Sequence, residues 1–311
     1  MTGATLRLGT RGSALALAQA RWVADQLAAR WPGLAVALVV IRTTGDRSQA
    51  AGTPLAATGG QGVFVKELEQ ALVRGEVDLA VHSLKDLPTR LAPGLKLAAV
   101  PPRADARDAL VSRHGVGLAA LPPEPRIGTS SPRRAAQVRA ARPDAAVVDL
   151  RGNLDTRLRR ARTADYDAIV VAAAGLHRLG RAGEVTEYLP VEQFIPMVGQ
   201  AALGLEARAG DAATLAWVEA LDDAATHAAV RAERAYLAAL GSGCAAPVAA
   251  HATAAGETLT LRAMIAAPDG RRVVRDVLDG PAAEAEALGR ALAARLLAAG
   301  GAAIIAATQR A

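Results

Sequence analysis

The sequence predicts an α/β protein of two lobes, each a mixed sheet with helices on both faces, followed by a small α+β domain. Three observations predict it. Short apolar strands alternate with amphipathic helices through the first part of the chain. The alternation restarts after the proline-rich passage VPPRADARD at 100–108. From about residue 222 the texture changes to consecutive strands bracketed by helices, which marks an α+β domain rather than a third alternating lobe.

Taken in order, LRLGT at 6–10 reads as a strand, and Ser13 caps a helix that runs to about Arg30. LAVALVVIR at 34–42 is a second, largely apolar strand. The stretch from Thr43 to Gly62 is too rich in glycine, threonine and alanine for an element, and a loop of that length in a compact domain is usually functional or mobile. FVKELEQALVRG is the next helix, with Phe64, Leu68 and Leu72 at fourfold spacing, and VDLAVHS is the next strand. Beyond the proline-rich passage, ALVS, RIGTS, AAVVDL and AIVVAA read as strands, with helices starting near Ser131, Asn153 and Gly175. VGQAALGLEAR at 198–208 reads as a strand returning to the first lobe. The expected division is therefore 1–101 with 200–219, then 102–199, then 222–311. The last part holds the helix ATHAAVRAERAYLAAL, strands near PVAAHAT, TLTLRAMIAA and RRVVRDVLDG, and a final helix PAAEAEALGRALAARLLAAG.

Composition narrows the function classes. The 311-residue chain is 51% hydrophobic, enough for sizeable cores. No apolar run is expected to approach the roughly 18 residues that span a membrane, and MTGATLRLGT lacks the basic-then-apolar order of a signal peptide. The expectation is a soluble cytoplasmic monomer without a membrane partner. One cysteine, Cys244, permits no internal disulfide, and no Cys and His grouping has structural-zinc spacing, so no metal is expected. A formal net charge of +6 and a sequence pI near 10.2 point to an anionic partner. Nucleic acid fits poorly: aromatics make up 3% of residues, which leaves few stacking platforms, and no helix-turn-helix or zinc-finger signature is present. No GxxxxGK[ST] loop is present to cradle a triphosphate.

Chemistry concentrates where strands end. In GTRGS, Arg11 stands beside a helix start capped by Ser13, and orphan amides there favour an anion. In GTSSPRRAAQVR, Ser131 is placed as N-cap and Pro132 as first helical residue. Arg133 and Arg134 flank that helix start, where the dipole disfavours cations, so they either meet an anion or point into solvent. In LRGNLDTRLRR, Arg151 stands at a strand end and Arg157 lies in the helix that follows, while Arg159 and Arg160 read as a solvated face. HSLKDLPT puts Ser83, Lys85 and Asp86 at the carboxyl end of a strand, where open α/β sheets hold ligands. Asp86 reads there as general acid, general base or partner to a cation, or as one half of a plain surface pair with Lys85. Cys244 lies in GSGCAAP, a turn with little side chain to bury the sulfur; a lone thiol is either a small core hydrophobe or a nucleophile.

These strings, together with GDRSQAAGTPLAATGGQGVFVKELE, YDAIVVAAAGLHRLG and VGQAALGLE, stand in an order that closely resembles the hydroxymethylbilane synthase (porphobilinogen deaminase) family over nearly the whole chain. The resemblance implies two periplasmic-binding-protein-like lobes plus a third α+β domain that carries a cysteine on a loop. It implies a transferase of tetrapyrrole and haem biosynthesis, which condenses porphobilinogen head to tail with loss of ammonia. The chain grows on a covalent dipyrromethane cofactor and is released by hydrolysis as linear hydroxymethylbilane. Cys244 matches the cofactor-attachment position, through a thioether, and Asp86 the catalytic aspartate. Arg11, Arg133, Arg134, Arg151 and Arg157 match positions that bind the acetates and propionates, with Ser13, Lys85, Thr129, Ser131 and Arg178 assisting. Ser83 and Gln200 match positions around cofactor or substrate. The loop from about 47 to 62 matches a mobile lid, with Phe64 beside it suited to stacking on a pyrrole ring. Two departures stand out: Gln61 where the family often has lysine, and Ala201 where glycine is common. The competing readings are a two-lobed anion-binding protein without catalysis and a basic nucleic-acid binder, whose binding would fall steeply with salt for any sequence.

Overall fold

The structure, a computed structural model, describes residues 5–45, 64–241 and 246–310. It divides into two compact units, Met1–Ala104 with Ala201–His227 and Asp105–Gln200 with Ala228–Ala311.

The first unit is built on a five-stranded mixed sheet. Its chain runs β1 (Thr5–Thr10), α1 (Ala14–Arg30), β2 (Ala35–Val40), α2 (Lys66–Val73), β3 (Leu79–Ser83) and β4 (Leu95–Ala99), and later returns as β10 (Leu203–Arg208). The order is β2-β1-β3-β10-β4, with β1 parallel to β2 and β3 and β10 antiparallel to β3 and β4. Ser13 starts α1 as expected, accepting a hydrogen bond from the Ala16 amide at 3.3 Å. α1 packs Ala20, Val23 and Leu27 against Leu6, Leu8, Leu79 and Val81 on one face of the sheet. α2 packs Leu68, Ala71 and Leu72 against Val77 and Ala80 on the other. Covering both faces explains why these strands are apolar runs rather than alternating ones. β4 was not expected, because Lys96 breaks its apolar run. The returning strand starts at Leu203, later than the expected 198, and residues Gly199 and Ala201 before it both have positive φ.

The second unit repeats this plan. β5 (Asp108–Ser112), β6 (Arg126–Gly128), α3 (Pro132–Ala141), β7 (Ala146–Val148), α4 (Leu154–Ala161), β8 (Ala168–Ala172), α5 (Ala173–Arg178) and β9 (Glu187–Leu189) form a sheet in the order β7-β6-β8-β5-β9. β6 runs parallel to β7 and β8, and β5 antiparallel to β8 and β9. Each sheet thus has two parallel crossovers and one inserted antiparallel strand, the plan of a periplasmic-binding-protein-like lobe. The likeness lies in topology, and the sequence shows no repeat.

The C-terminal domain is an antiparallel meander, β11 (Val248–Ala255), β12 (Thr258–Ala266) and β13 (Val273–Pro281). Helices α6 (Ala224–Ala239), α7 (Ala285–Leu296) and α8 (Ala302–Arg310) cover one face, with Tyr236, Leu259, Leu261, Ile265, Leu292 and Ile304 in their shared core. Within the second unit this domain docks on α3 through Ala136, Ala249, Met264 and Ala266. Gly270 has a positive φ, and a Cβ there would meet the Ala136 carbonyl oxygen at 2.6 Å, so the approach admits only glycine. The buried Glu233 carboxylate ties the parts together, accepting from the Gly199 amide at 2.7 Å and the Ala252 amide at 2.8 Å.

One composition reading is corrected. Ala282–Arg310 is long and apolar enough, by length and composition, to cross a membrane, where no such run was expected. Its many alanines and paired glycines hide the apolar length that Leu and Ile would advertise. Gly300, at φ 107°, kinks the segment between α7 and α8. Leu288, Leu292, Leu296, Ile304 and Ile305 lie in the domain core.

Ala201, the second departure, adopts φ 70° where the chain re-enters the first unit. A left-handed conformation costs an alanine about 1–2 kcal/mol, partly offset by the extra chain entropy that glycine loses on folding. Ala201→Gly is therefore expected to raise stability by about 0.5–1 kcal/mol, seen as a higher urea midpoint; a lower midpoint would show that the conformation carries no strain.

Candidate functional site

In the first unit the expected residues cluster at the carboxyl ends of β1 and β3. Arg11 follows β1 directly, and its guanidinium lies 3.9 Å over the Phe64 ring, a cation–π arrangement. Phe64 thus lies beside the anion-seeking side chain. Ser83 ends β3 and exchanges two hydrogen bonds with the buried Gln19 of α1: the Gln19 amide donates to Ser83 Oγ at 2.9 Å, and Ser83 Oγ donates back at 3.2 Å. Leu84–Asp86 then forms a single 3₁₀ turn. The Leu84 amide donates to the Ala202 carbonyl at 3.0 Å and the Leu87 amide to Leu84 at 3.1 Å. Leu84 is buried, while Lys85 and Asp86 are half-buried at the end of the strand. Gln19 escaped the sequence reading because one glutamine in an alanine-rich helix carries no local signal.

In the second unit the expected residues gather around the start of α3. Thr129 Oγ1 accepts from the Ser131 amide at 3.2 Å, and Ser131 caps the helix by accepting from the Arg134 amide at 3.4 Å. Arg133 and Arg134 do meet an anion, and it is internal. Asp108, 0% exposed at the start of β5, accepts from Arg133 Nη1 at 2.7 Å and from Arg134 Nε at 3.0 Å and Nη2 at 2.8 Å. Gln200 completes the group, donating to Asp108 at 2.9 Å and to the Ala106 carbonyl at 2.7 Å. Arg133 also donates to the Ile195 carbonyl at 2.8 Å. Burial works against the Asp108 carboxylate, but the two guanidiniums overcome it and hold its pKa well below the usual range. The signal for Asp108 in the sequence was a lone carboxylate opening an otherwise apolar strand.

Two guanidiniums against one carboxylate leave this cluster with a net positive charge, and Arg157 adds to it. Burial, then the neighbouring Arg134 charge, push the Arg157 guanidinium down to about 10, with Asp149 opposing. Its Nε donates to the Gly152 carbonyl at 2.8 Å. Burial likewise pushes Arg178, in the last turn of α5, down to about 10. A cation held out of water in this way gains from an arriving carboxylate, whose charge offsets the desolvation of the guanidinium. Arg151 differs: it is exposed and pairs with Asp149. The donor set around α3 thus suits a ligand carrying several carboxylates, such as a dipyrromethane with its acetate and propionate arms. Cys244 and the expected lid at 47–62, including Gln61, lie outside the described residues.

Comparison with known proteins identifies the family. A family model described as "Porphobilinogen deaminase, dipyromethane cofactor binding domain" matches residues 6–216, and one described as "Porphobilinogen deaminase, C-terminal domain" matches 227–298. Porphobilinogen deaminase of Syntrophotalea carbinolica is 52% identical over 99% of this chain and 97% of its own length. That of Geobacter metallireducens is 50% identical over 95% of this chain and 92% of its own. That of Roseiflexus castenholzii is 53% identical over 97% of this chain and 99% of its own. With both family models matched in sequence order, and relatives this similar from end to end, the chain belongs to the porphobilinogen deaminase family.

Proposed function

We propose that the chain is a transferase that condenses porphobilinogen head to tail and releases linear hydroxymethylbilane by hydrolysis, in tetrapyrrole biosynthesis. The observation that carries this reading is the match to relatives about half identical over 99% of the chain, which includes the cofactor-binding domain. It favours an enzyme over a non-catalytic anion-binding protein of the same two-lobed plan.

When bound, dipyrromethane supplies the pyrrole end from which the product is extended. Cys244 is the proposed attachment point, because a thioether formed by a soft sulfur nucleophile neither hydrolyses nor exchanges. Asp86, held on a turn fixed by Ser83, Leu84 and the Ala202 carbonyl, is the proposed catalytic group. Loss of the substrate's amine leaves positive charge on a pyrrole, which a carboxylate at the ring nitrogens stabilises while it moves a proton. Arg11, Arg134, Arg151, Arg157 and Arg178, with Ser13, Lys85, Thr129 and Ser131, are the proposed carboxylate-binding groups, and Phe64 the proposed ring-stacking neighbour. Arg133 and Gln200 act chiefly by holding Asp108 and Arg134 in place. A free thiol needed for cofactor attachment suits a reducing cytoplasm, and a cytoplasmic monomer is the reading we adopt.

Intact-protein mass tests the proposal. The active enzyme is expected to weigh more than its sequence by two linked pyrrole units, and Cys244→Ser to lose that increment. An unmodified mass in active enzyme would refute it.

A further inference from the structure

The turn that carries Asp86 continues a strand whose last inward side chain is unusual. His82 precedes Ser83 on β3, is buried, and lies 2.9 Å through Nε2 from Oε2 of Glu206 on β10, which is also buried. β3 and β10 are paired so that Ser83 meets Leu203 and His82 meets Gly204, and the Leu84 amide extends the ladder to Ala202. A Cβ on Gly204 would come within 2.7 Å of Leu84 Cδ1, so Leu84 settles into the notch left by that glycine. β10 is therefore the template on which residues 82–86 are laid.

Stability does not explain the polar pair. Glu206 Oε1 is buried with no hydrogen-bond partner among the described residues. Glu69 of α2 packs close enough that burial and the Glu206 charge push its pKa up. Two carboxyls and one imidazole, with Glu206 paired in the ladder to Ala80, itself a member of the apolar cluster under α2, are a poor choice for holding a sheet together, and apolar replacements of such pairs are often neutral or stabilising. What a directional contact adds is register, the best-attested use of a buried polar pair.

We infer that His82 and Glu206 are positioning residues, which lock the register of β3 on β10 and thereby fix the turn that presents Asp86 to the substrate. The inference rests on the proposed role of Asp86.

The test replaces both members at once. In His82→Leu/Glu206→Leu the melting temperature is expected to hold, while kcat falls about a hundredfold, as for a displacement of order 1 Å at a reacting group, with KM for porphobilinogen little changed. His82→Gln keeps an N–H at similar reach to Glu206 and is expected to recover most of kcat, whereas His82→Leu alone is not. A folded double variant with wild-type kcat would overturn the inference. Should the double variant fail to fold, equal kcat in His82→Gln and His82→Leu would overturn it. Asp86→Asn, run in parallel, separates the two readings: normal turnover there removes the role of Asp86 and this inference with it. An inactive Asp86→Asn beside a fully active double variant removes the inference alone.

Discussion

Replacing Asp108 with alanine is expected to lower stability by about 3–5 kcal/mol, the cost of leaving a buried charge without its partner. Here two such charges are affected: Arg133 and Arg134 are 5% and 6% exposed, and both direct their guanidiniums at this carboxylate. Burial, then the neighbouring Arg134 charge, already push Arg133 down, and the Asp108 charge is what offsets them. Asp108→Asn keeps the volume but not the charge and is expected to fall in the same range. Urea denaturation at neutral pH measures the loss. Its pH dependence follows from the sign of the shift. The folded-state pKa of Asp108 lies below its ordinary value of 3.8, so its contribution is present above about that pH and is lost as pH falls further. The gap between wild type and Asp108→Asn should therefore narrow on acidification below pH 4. A variant with wild-type stability at neutral pH would show that the arginines find another partner or water.

Asp86→Asn is expected to reduce turnover by about a hundredfold or more, the usual consequence of removing a preorganised electrostatic stabiliser. The amide occupies nearly the same space, so the 3₁₀ turn and its backbone bonds to Ala202 and Leu84 have no reason to change. Unlike the carboxylate, an amide neither balances a developing cation nor accepts a proton at neutral pH. The variant should fold as the wild type does by circular dichroism and retain some cofactor by mass. Normal turnover would refute the assigned role.

The contrast between these two residues shows what could be read from the chain. The position of Asp86 was legible because it lies within a few residues of Ser83 and Lys85 after an apolar strand, so spacing alone placed it at that strand's carboxyl end, while its catalytic role came only from the family resemblance. Ser131 and Ser13 were legible as caps for the same reason, and both cap the expected helices. For Arg133 and Arg134 the helix dipole called for an anion, but not for one inside the protein. The strands β4 and β9 went unseen, being short and carrying Lys96 and Glu187 respectively. Helix Ala212–Val218 is equally short and was likewise missed.

Strand and helix order, the caps, the restart at the proline-rich passage and the strings shared with the family all follow from neighbours in the chain, because dihedral preference and hydrophobic period are local properties. Tertiary structure alone decided that β5 enters the second sheet between β8 and β9, carrying Asp108 beneath Arg133 and Arg134. It likewise laid β10 along β3 and brought Glu206 to His82 across 124 positions of sequence. Both outcomes rest on desolvated polar or charged side chains that are tolerable only when a hydrogen-bonding partner arrives from a distant strand, and no local pattern encodes that arrival.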